Sequence, residues 1–366
     1  MQEKVYAKIK QKVEDFVVEE ITPLGKCVIS PEISQKTDLG NLELKDPKDL
    51  KEFLWADMEK IDIDHLHAIK EVSILLNKGP EDIGYAGSKD KRAHTVQRIS
   101  IFNPDLEKVK SFSHPNIHLK NFKWERRKIK IGYLEGNHFR IVIRDIDKKD
   151  ASKISNKIRK SNFFPNYFGS QRFGRDGKNP EVGKMLLKKE FEKAVIQLIK
   201  DSPPRVSERA NYYLSKNPNN FLGALKLFPR KNLLIIVNSV QSKIFNEILK
   251  RALDEGLDFT KEGQQNCILP GYKTRFYDGK LGIIEEAVLK QNGLALEDFN
   301  LTEIPFLRMK GSYRKALTEV KDLDITIEDD EEFSGSKKII LEFSLPSGVY
   351  ATTYLNNFFE LENQSQ

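Results

Sequence analysis

The periodicity of apolar residues changes twice along this chain, and that change limits the folds open to it. Up to about residue 145 the pattern is mostly that of strands. Residues 4–20 alternate and end in Phe16-Val17-Val18-Glu19-Glu20, and Val96–Ile101 repeats the signature. Ile129-Lys130-Ile131 and Phe139–Arg144 flank Gly132–Gly136, which predicts two strands joined by a tight connection. Residues 22–50 are rich in Pro, Gly, Asp and Lys and read as short strands with loops. Two helices are predicted among them, His65–Leu76, stopped by Asn77-Lys78-Gly79-Pro80, and a polar one at Asp145–Arg159. Asn162–Gly177 is aromatic and glycine-rich and reads as a structured loop. From about residue 180 the texture is helical, with Val182–Ile199 and Leu234–Ala252 as the clearest segments. Lys337–Phe343 then returns as a strand, before a turn at Leu345–Gly348 and a terminal helix at Tyr350–Leu361. Strands, then helices, then one strand and one helix again describe an α/β domain carrying an insertion. No short-period repeat marks a solenoid.

With 366 residues, 39% of them hydrophobic, the chain can bury a real core. Sixty-one basic residues against 54 acidic give a net charge of +7, which fits nucleic-acid binding without requiring it. Cys27 and Cys267 stand far apart, so neither a disulfide scaffold nor a cysteine-rich zinc site is expected. The N-terminus is charged, and no apolar run reaches the length of a membrane span. A soluble, cytoplasmic protein with reduced thiols is the expectation. His65, His67, His114, His118 and His138 show no metal-ligand spacing, and a helix would place His65 and His67 on different faces. No metal is expected.

Four segments concentrate chemistry. Gly84–Gln97 (GYAGSKDKRAHTVQ) surrounds Asp90 with Lys89, Lys91, Arg92 and His94. Such a setting favours an ionised carboxylate able to act as nucleophile or base, and the cations suit phosphates. The plainer reading is a salt-bridged surface turn. The segment lacks GxxxxGK[ST], so it is no P-loop. Lys120–Lys130 holds six Lys/Arg and one Glu, interleaved with Phe122 and Trp124. That suits phosphate contact with base stacking, or equally a solvated strand face with two aromatics buried behind it. Asn166–Arg175 combines amides, aromatics and arginines, suited to a flipped base or to an aromatic-anchored loop. Leu345–Thr352 reads as strand, turn and helix start, with a structural turn as its plainer role.

In combination, these pieces resemble the TruD-type tRNA pseudouridine synthases, found in archaea and bacteria and including the eukaryotic Pus-seven-like enzymes. The blocks occur in order: Glu14–Glu19 (EDFVVE) preceded by Lys10, Ala86–Gln97 (AGxKDxxAxTxQ), Leu134–Phe139 (LEGNHF), Asn166–Gly174 (NxFGxQRFG) and Leu345–Thr352 (LPxGxYAT). They span nearly the whole chain. Three departures stand out. Val13 replaces a usual proline, Thr22–Asp38 lacks a glycine-rich piece, and Leu355-Asn356-Asn357 lacks a usual Arg-Glu pair.

The resemblance implies an α/β (α+β) pseudouridine synthase fold with a large mixed or antiparallel sheet. The catalytic domain would be discontinuous, residues 1–178 and 306–366, with a helix-rich insertion at 179–305. It implies an isomerase, an intramolecular transferase acting on a tRNA uridine without cofactor. Uridine 13 is the expected target, with uridine 35 or other RNAs as further ones. Asp90 takes the catalytic position and Lys10 contacts it. Asn166 and Phe168 line the uridine pocket, Phe168 facing the base, with Gly87 and Lys89 beside them. Lys91, Arg92, Lys123, Arg126, Arg127, Lys128, Arg172 and Arg175 are the expected RNA contacts. The chain is expected to be a monomer. The competing class is a non-catalytic RNA-binding or RNA-assembly protein on the same fold, which a degraded GxKD block or a lost pocket aromatic would favour. A deaminase would need His/Cys zinc ligands that this sequence lacks.

Overall fold

The computed structural model describes residues 4–31, 37, 39–40, 42, 52–174, 176–261 and 265–363. The chain divides into two compact units. It leaves the first after Phe164 and re-enters it at Glu319.

The first unit is built on one mixed sheet. Its strands are β1 (Val5–Ile9), β2 (Phe16–Thr22), β3 (Gly25–Lys26), β4 (Phe53–Ile61), β5 (Ile83–Tyr85), β6 (His94–Phe102), β7 (Ile117–Glu125), β8 (Gly136–Ile146), β9 (Lys321–Asp329), β10 (Lys337–Pro346) and β11 (Phe359–Asn363). The order is β9-β10-β8-β2-β6-β4-β7, with β3 on β2, β5 on β6, and β1 between β8 and β11. Most neighbours are antiparallel, but β2 runs parallel to β6 and β1 parallel to β11. Helices α1 (His65–Leu75) and α2 (Leu106–Lys110) belong to a core formed with Leu54, Ala56 and Met58 of β4. Helices α3 (Lys148–Arg159) and α10 (Ala351–Leu355) belong to a second, with Phe16, Ile141, Leu341 and Phe343. Alternation along β4 turns Trp55, Asp57 and Glu59 the other way.

The second unit is mainly helical: α4 (Asn179–Leu187), α5 (Phe191–Asp201), α6 (Pro204–Lys216), α7 (Phe221–Leu225), α8 (Arg230–Asp254) and α9 (Gly279–Gln291). Its core gathers around α8 through Val237, Ile244, Phe245 and Ile248. No helix among the described residues is long and apolar enough to cross a membrane.

Three sequence expectations need correction. Ile129-Lys130-Ile131 is not a strand. The Ile129 amide donates to Ser100 Oγ at 2.9 Å, and Gly132 turns the chain at φ +90, so side-chain bonds replace a ladder. Val182–Ile199 is two helices, parted where Lys189 takes φ +60. The terminal helix stops at Leu355, where Asn357 Nδ2 donates to the carbonyls of Thr353 and Tyr354. Phe359–Asn363 instead pairs with β1, because two buried aromatics, Phe358 and Phe359, lie in the core beneath it. Residues 32–36, 38, 41 and 43–50, within the stretch expected to form short strands and loops, lie outside the described residues.

Candidate active site

Lys10 follows β1 in a left-handed conformation, φ +57, which few non-glycine residues adopt without a fixed surrounding. Its Nζ lies 2.9 Å from Asp90 Oδ2 and 4.1 Å from the centre of the Phe16 ring. An ammonium over an aromatic face is attracted by the ring's quadrupole. Phe16 is therefore both core and support for the lysine. The preceding residue, Asp15, is buried and accepts from the Lys12 amide at 2.8 Å and from the Arg144 guanidinium at 2.7–3.1 Å. Arg144 also reaches Asp330 at 2.9 Å, inside the acidic run Glu328–Glu332. The Glu14-Asp15-Phe16 block is thus an anchor that fixes where Lys10 points.

Asp90 itself is half exposed, 46% by side chain. Its loop is pinned from below. Lys60, at the end of β4 and fully buried, donates to the Asp90 carbonyl at 2.5 Å and to that of Ile63 at 2.9 Å. Burial pulls the Lys60 ammonium down to about 8, against the opposing attraction of Asp90, Asp64 and Asp62. Gln97 Nε2 donates to the Gly87 carbonyl at 3.1 Å. Gly87 faces open space, whereas a side chain at Gly84 would strike the Ile129 carbonyl and Lys128. Burial also holds His65 neutral, near 4, with Lys60 and Lys89 adding to the effect. His65 is buried and His67 exposed, as their spacing on the helix predicts.

Lys89 turns inward. It pairs with Glu20 at 2.7 Å and donates to Asn137 Oδ1 at 2.7 Å, with both charged side chains almost fully buried. Burial pushes the Glu20 carboxyl up, and Lys89 opposes it. Arg92 reaches the Gln11 carbonyl at 3.0 Å. Lys91 is exposed and forms no ion pair among the described residues. Asn137 explains the LEGNHF block. Gly136 leaves no room for a side chain against the Leu345 carbonyl, and Ser347 of the LPSG turn donates to the Glu135 carbonyl at 2.9 Å. Gly348 makes that turn at φ +78. Four sequence blocks therefore converge within the first unit: Lys10 with EDF, GSKD, LEGN and LPSG.

The buried residues on the other face of β4 carry further charge. Asp57 pairs with Arg98, accepts from Asn121 and takes the Cys27 Sγ–H at 3.1 Å. Burial pushes the Cys27 thiol up, and Asp57 adds to it. Cys27 and Cys267 are both free and buried. Glu59 accepts from His94 at 2.6 Å and pairs with Lys120. Burial alone would raise Glu59, but those hydrogen bonds overcome it and hold the carboxyl at about 2.

In the basic stretch, Trp124 is buried and Phe122 packs against the same core, which decides for the aromatics-behind-the-strand reading. Lys120 is tied to Glu59, and Lys123 to Glu125 at 2.6 Å. Arg126 and Arg127 are exposed and Lys128 half-buried.

Asn166 and Phe168 belong to the second unit. Asn166 is buried and fully engaged. Its Nδ2 donates to the Lys315 carbonyl at 2.9 Å, and its Oδ1 accepts from Arg314 Nη2 at 2.5 Å. The Arg314 guanidinium lies 4.2 Å from the Phe168 ring centre. Asn246 of α8 grips the Phe168 main chain from both sides, accepting from its amide at 2.8 Å and donating to its carbonyl at 2.9 Å. Arg172 Nε reaches Ser242 Oγ at 3.2 Å and sits 5.6 Å from the same ring. Arg175 lies outside the described residues.

Sequence reasoning gave no role to Lys60, Glu20, Asn137, Asn246 or Arg314. Lys60 is the third charged residue of its strand (FLWADMEKI), after Asp57 and Glu59, and nothing in that pattern singles it out.

A sequence model described as "tRNA pseudouridine synthase D (TruD)" matches residues 2–212 and 261–358. The chain belongs to the TruD family. A protein of Methanosarcina mazei named "Probable tRNA pseudouridine synthase D" is 29% identical, covering 96% of this chain and 93% of that one. One of Methanocaldococcus jannaschii, named "Probable tRNA pseudouridine synthase D 1", is 31% identical, covering 96% and 95%. The crystal structure of the "Putative tRNA pseudouridine synthase D (TruD)" from Methanosarcina mazei superposes with a TM-score of 0.75 at 28% identity, covering 98% of this chain and 94% of that one. The large mixed sheet and the helical unit are those of the family.

Proposed function

We propose that this protein is a tRNA pseudouridine synthase, an isomerase that moves the glycosidic bond of one uridine from N1 to C5, with Asp90 as its catalytic residue. The observation that carries this reading is the 2.9 Å Lys10–Asp90 pair, formed between residues eighty positions apart, in a chain of the TruD family.

The chemistry follows from an oriented carboxylate. The C1′–N1 bond breaks, either by attack of Asp90 on C1′ or by loss of a ribose proton to it. The freed uracil rotates, and C1′–C5 forms as the Asp90–C1′ bond breaks or as Asp90 returns the ribose proton; the C5 proton then leaves while N1 gains one. Asp90 is the base for that last proton. Lys10 orients the carboxylate, and Lys60 fixes the loop beneath it. A base inside a folded RNA must leave its stack first, and stacking on Phe168 would offset part of that cost. Uridine 13 of tRNA is the proposed target, with uridine 35 a further one, in a cytoplasmic, monomeric enzyme. Lys91, Arg126, Arg127 and Lys128 are its proposed phosphate contacts, so binding should weaken steeply with salt.

The test is to map pseudouridines in bulk tRNA treated with wild type and with Asp90→Asn. The variant should lose activity by roughly 10²–10⁴-fold while still binding tRNA. Pseudouridine formation by purified D90N at the wild-type rate removes Asp90 from the mechanism.

A further inference from the structure

Beside the Asp90 loop, the first unit contains a cleft of about 660 Å³ whose aromatic walls the proposed reaction does not use. That is an ordinary size for a small-ligand site. Its walls are the side chains of Trp55 and Tyr133, with Leu24 at the edge, and the cations of Arg127, Lys128 and Lys130. We propose that this cleft is a second nucleotide site, which takes an unstacked, single-stranded nucleotide of the bound RNA. It deepens the reading above and rests on it, since it assigns part of that RNA.

Charge is the first argument. Among the described residues the cleft has one carboxylate in its lining, Glu125, and that group is already paired with Lys123 at 2.6 Å. Arg127 and Lys130 are exposed and form no ion pair among the described residues. Lys128 Nζ is held by the Glu81 carbonyl, which positions the ammonium without neutralising it. The cleft therefore carries uncompensated positive charge, the setting that attracts a phosphodiester.

Shape and rigidity are the second. Trp55 and Tyr133 meet edge to face, ring centres 5.5 Å apart and planes at 74°. Trp55 is nearly buried and forms the floor, while Tyr133 and Leu24 reach solvent and offer a surface for a base. Aromatic walls beside backbone-tracking cations are how single-stranded nucleic acid is held without a sequence code. The segment is preformed. Trp55 Nε1 donates to the Arg127 carbonyl at 2.7 Å, and Ile129 is fixed by Ser100.

Location is the third. The Gly132 amide donates to the Ala86 carbonyl at 2.8 Å, and Ala86 packs with Trp55 and Ile129 in one small core. Ala86 stands four residues before Asp90 in the same loop block. Cleft and carboxylate thus share one support, and a strand seated in the first is registered against the second.

The chain has two tryptophans, so Trp124→Phe leaves Trp55 as the sole indole reporter. In that background, a five-nucleotide oligouridylate should change Trp55 fluorescence saturably, and inorganic phosphate at equal charge should not. The double reversal Arg127→Glu/Lys130→Glu alters exposed side chains and should weaken the oligonucleotide by about tenfold or more, with an unchanged thermal unfolding curve. Tyr133→Ala should weaken it by roughly fivefold or more through lost stacking. No fluorescence change, or a change that both variants retain in full, overturns the proposal. Asp90→Asn separates the two readings. An inactive D90N protein with no oligonucleotide signal removes the cleft alone, whereas an active D90N protein with the signal intact removes Asp90 and leaves the cleft.

Discussion

Lys60 Nζ donates to the main-chain carbonyl of Asp90 at 2.5 Å, from a side chain with no solvent exposure. The contact is to the backbone, so it fixes where the carboxylate stands without competing for its oxygens. Lys10 makes the complementary contact to Oδ2 at 2.9 Å. One lysine sets the position of the residue and the other the orientation of its side chain.

Lys60→Met should lower turnover by roughly 10–100-fold, with KM changed much less, because a small misplacement of a reacting group is costly to rate. The pH dependence has a definite sign. Burial depresses the Lys60 ammonium to about 8 in the fold, below its ordinary lysine value. Below pH 8 both folded and unfolded chains hold the proton, and the fold bears the full cost. Between pH 8 and the ordinary lysine value the unfolded chain binds more protons, so stability rises with pH. Wild type should therefore gain stability relative to Lys60→Met between pH 7 and 9.5 in urea titrations. A constant difference across that range would contradict the buried-ammonium account.

Glu59 works in the opposite window. Its folded value of about 2 lies below the ordinary carboxyl value, despite burial, because His94 and Lys120 hydrogen-bond the anion. The stabilisation is complete above the unfolded value and is lost as pH falls through about 2. The shift corresponds to roughly 3 kcal/mol at neutral pH. Glu59→Gln should therefore be less stable than wild type at pH 7 and converge with it as acid is added, as followed by circular dichroism. Parallel acid-unfolding curves would count against the pair.

Arg314→Ala removes a cation from the Phe168 ring and leaves Asn166 Oδ1 without its short donor. The second unit should lose about 1–3 kcal/mol, since a buried acceptor left unmade bears its desolvation cost. Phe168→Ala should instead act on substrate. Use of folded tRNA should fall further than use of an unstructured RNA fragment, because stacking matters most where a base must be extruded. Equal loss on both, together with weaker thermal stability, would assign Phe168 to the fold.

The blocks around Asp90 were legible because each is local. A glycine that admits no side chain, an EDF turn and a GxKD loop are specified by neighbours in sequence, and their order identified the family. Their supports were less legible. Lys60 reads as the last of three charged residues in a strand, and the 30-residue return of the chain to Asp90 gives it its long-range partner. Lys89 looks like a phosphate ligand beside Lys91, yet burial against Glu20 and Asn137 turns it inward. Among the aromatics, Phe122 and Trp124 invited a stacking role by standing between lysines. Strand alternation sends them to the core, and the cleft by the basic segment is walled by Trp55 and Tyr133 instead.

The α/β framework with its helical insertion, the family, and the candidacy of Asp90 and Lys10 can all be read from the order of residues. Those properties are carried by periodicity and by short ordered motifs. Tertiary structure alone decided which charges face solvent and which face each other. Burial and long-range pairing set that outcome: the Lys60 ammonium near 8, the Glu59 carboxyl near 2, and β1 beside Phe359–Asn363 rather than beside a longer terminal helix. Desolvation depends on everything packed around a group, and no local window of sequence contains that information.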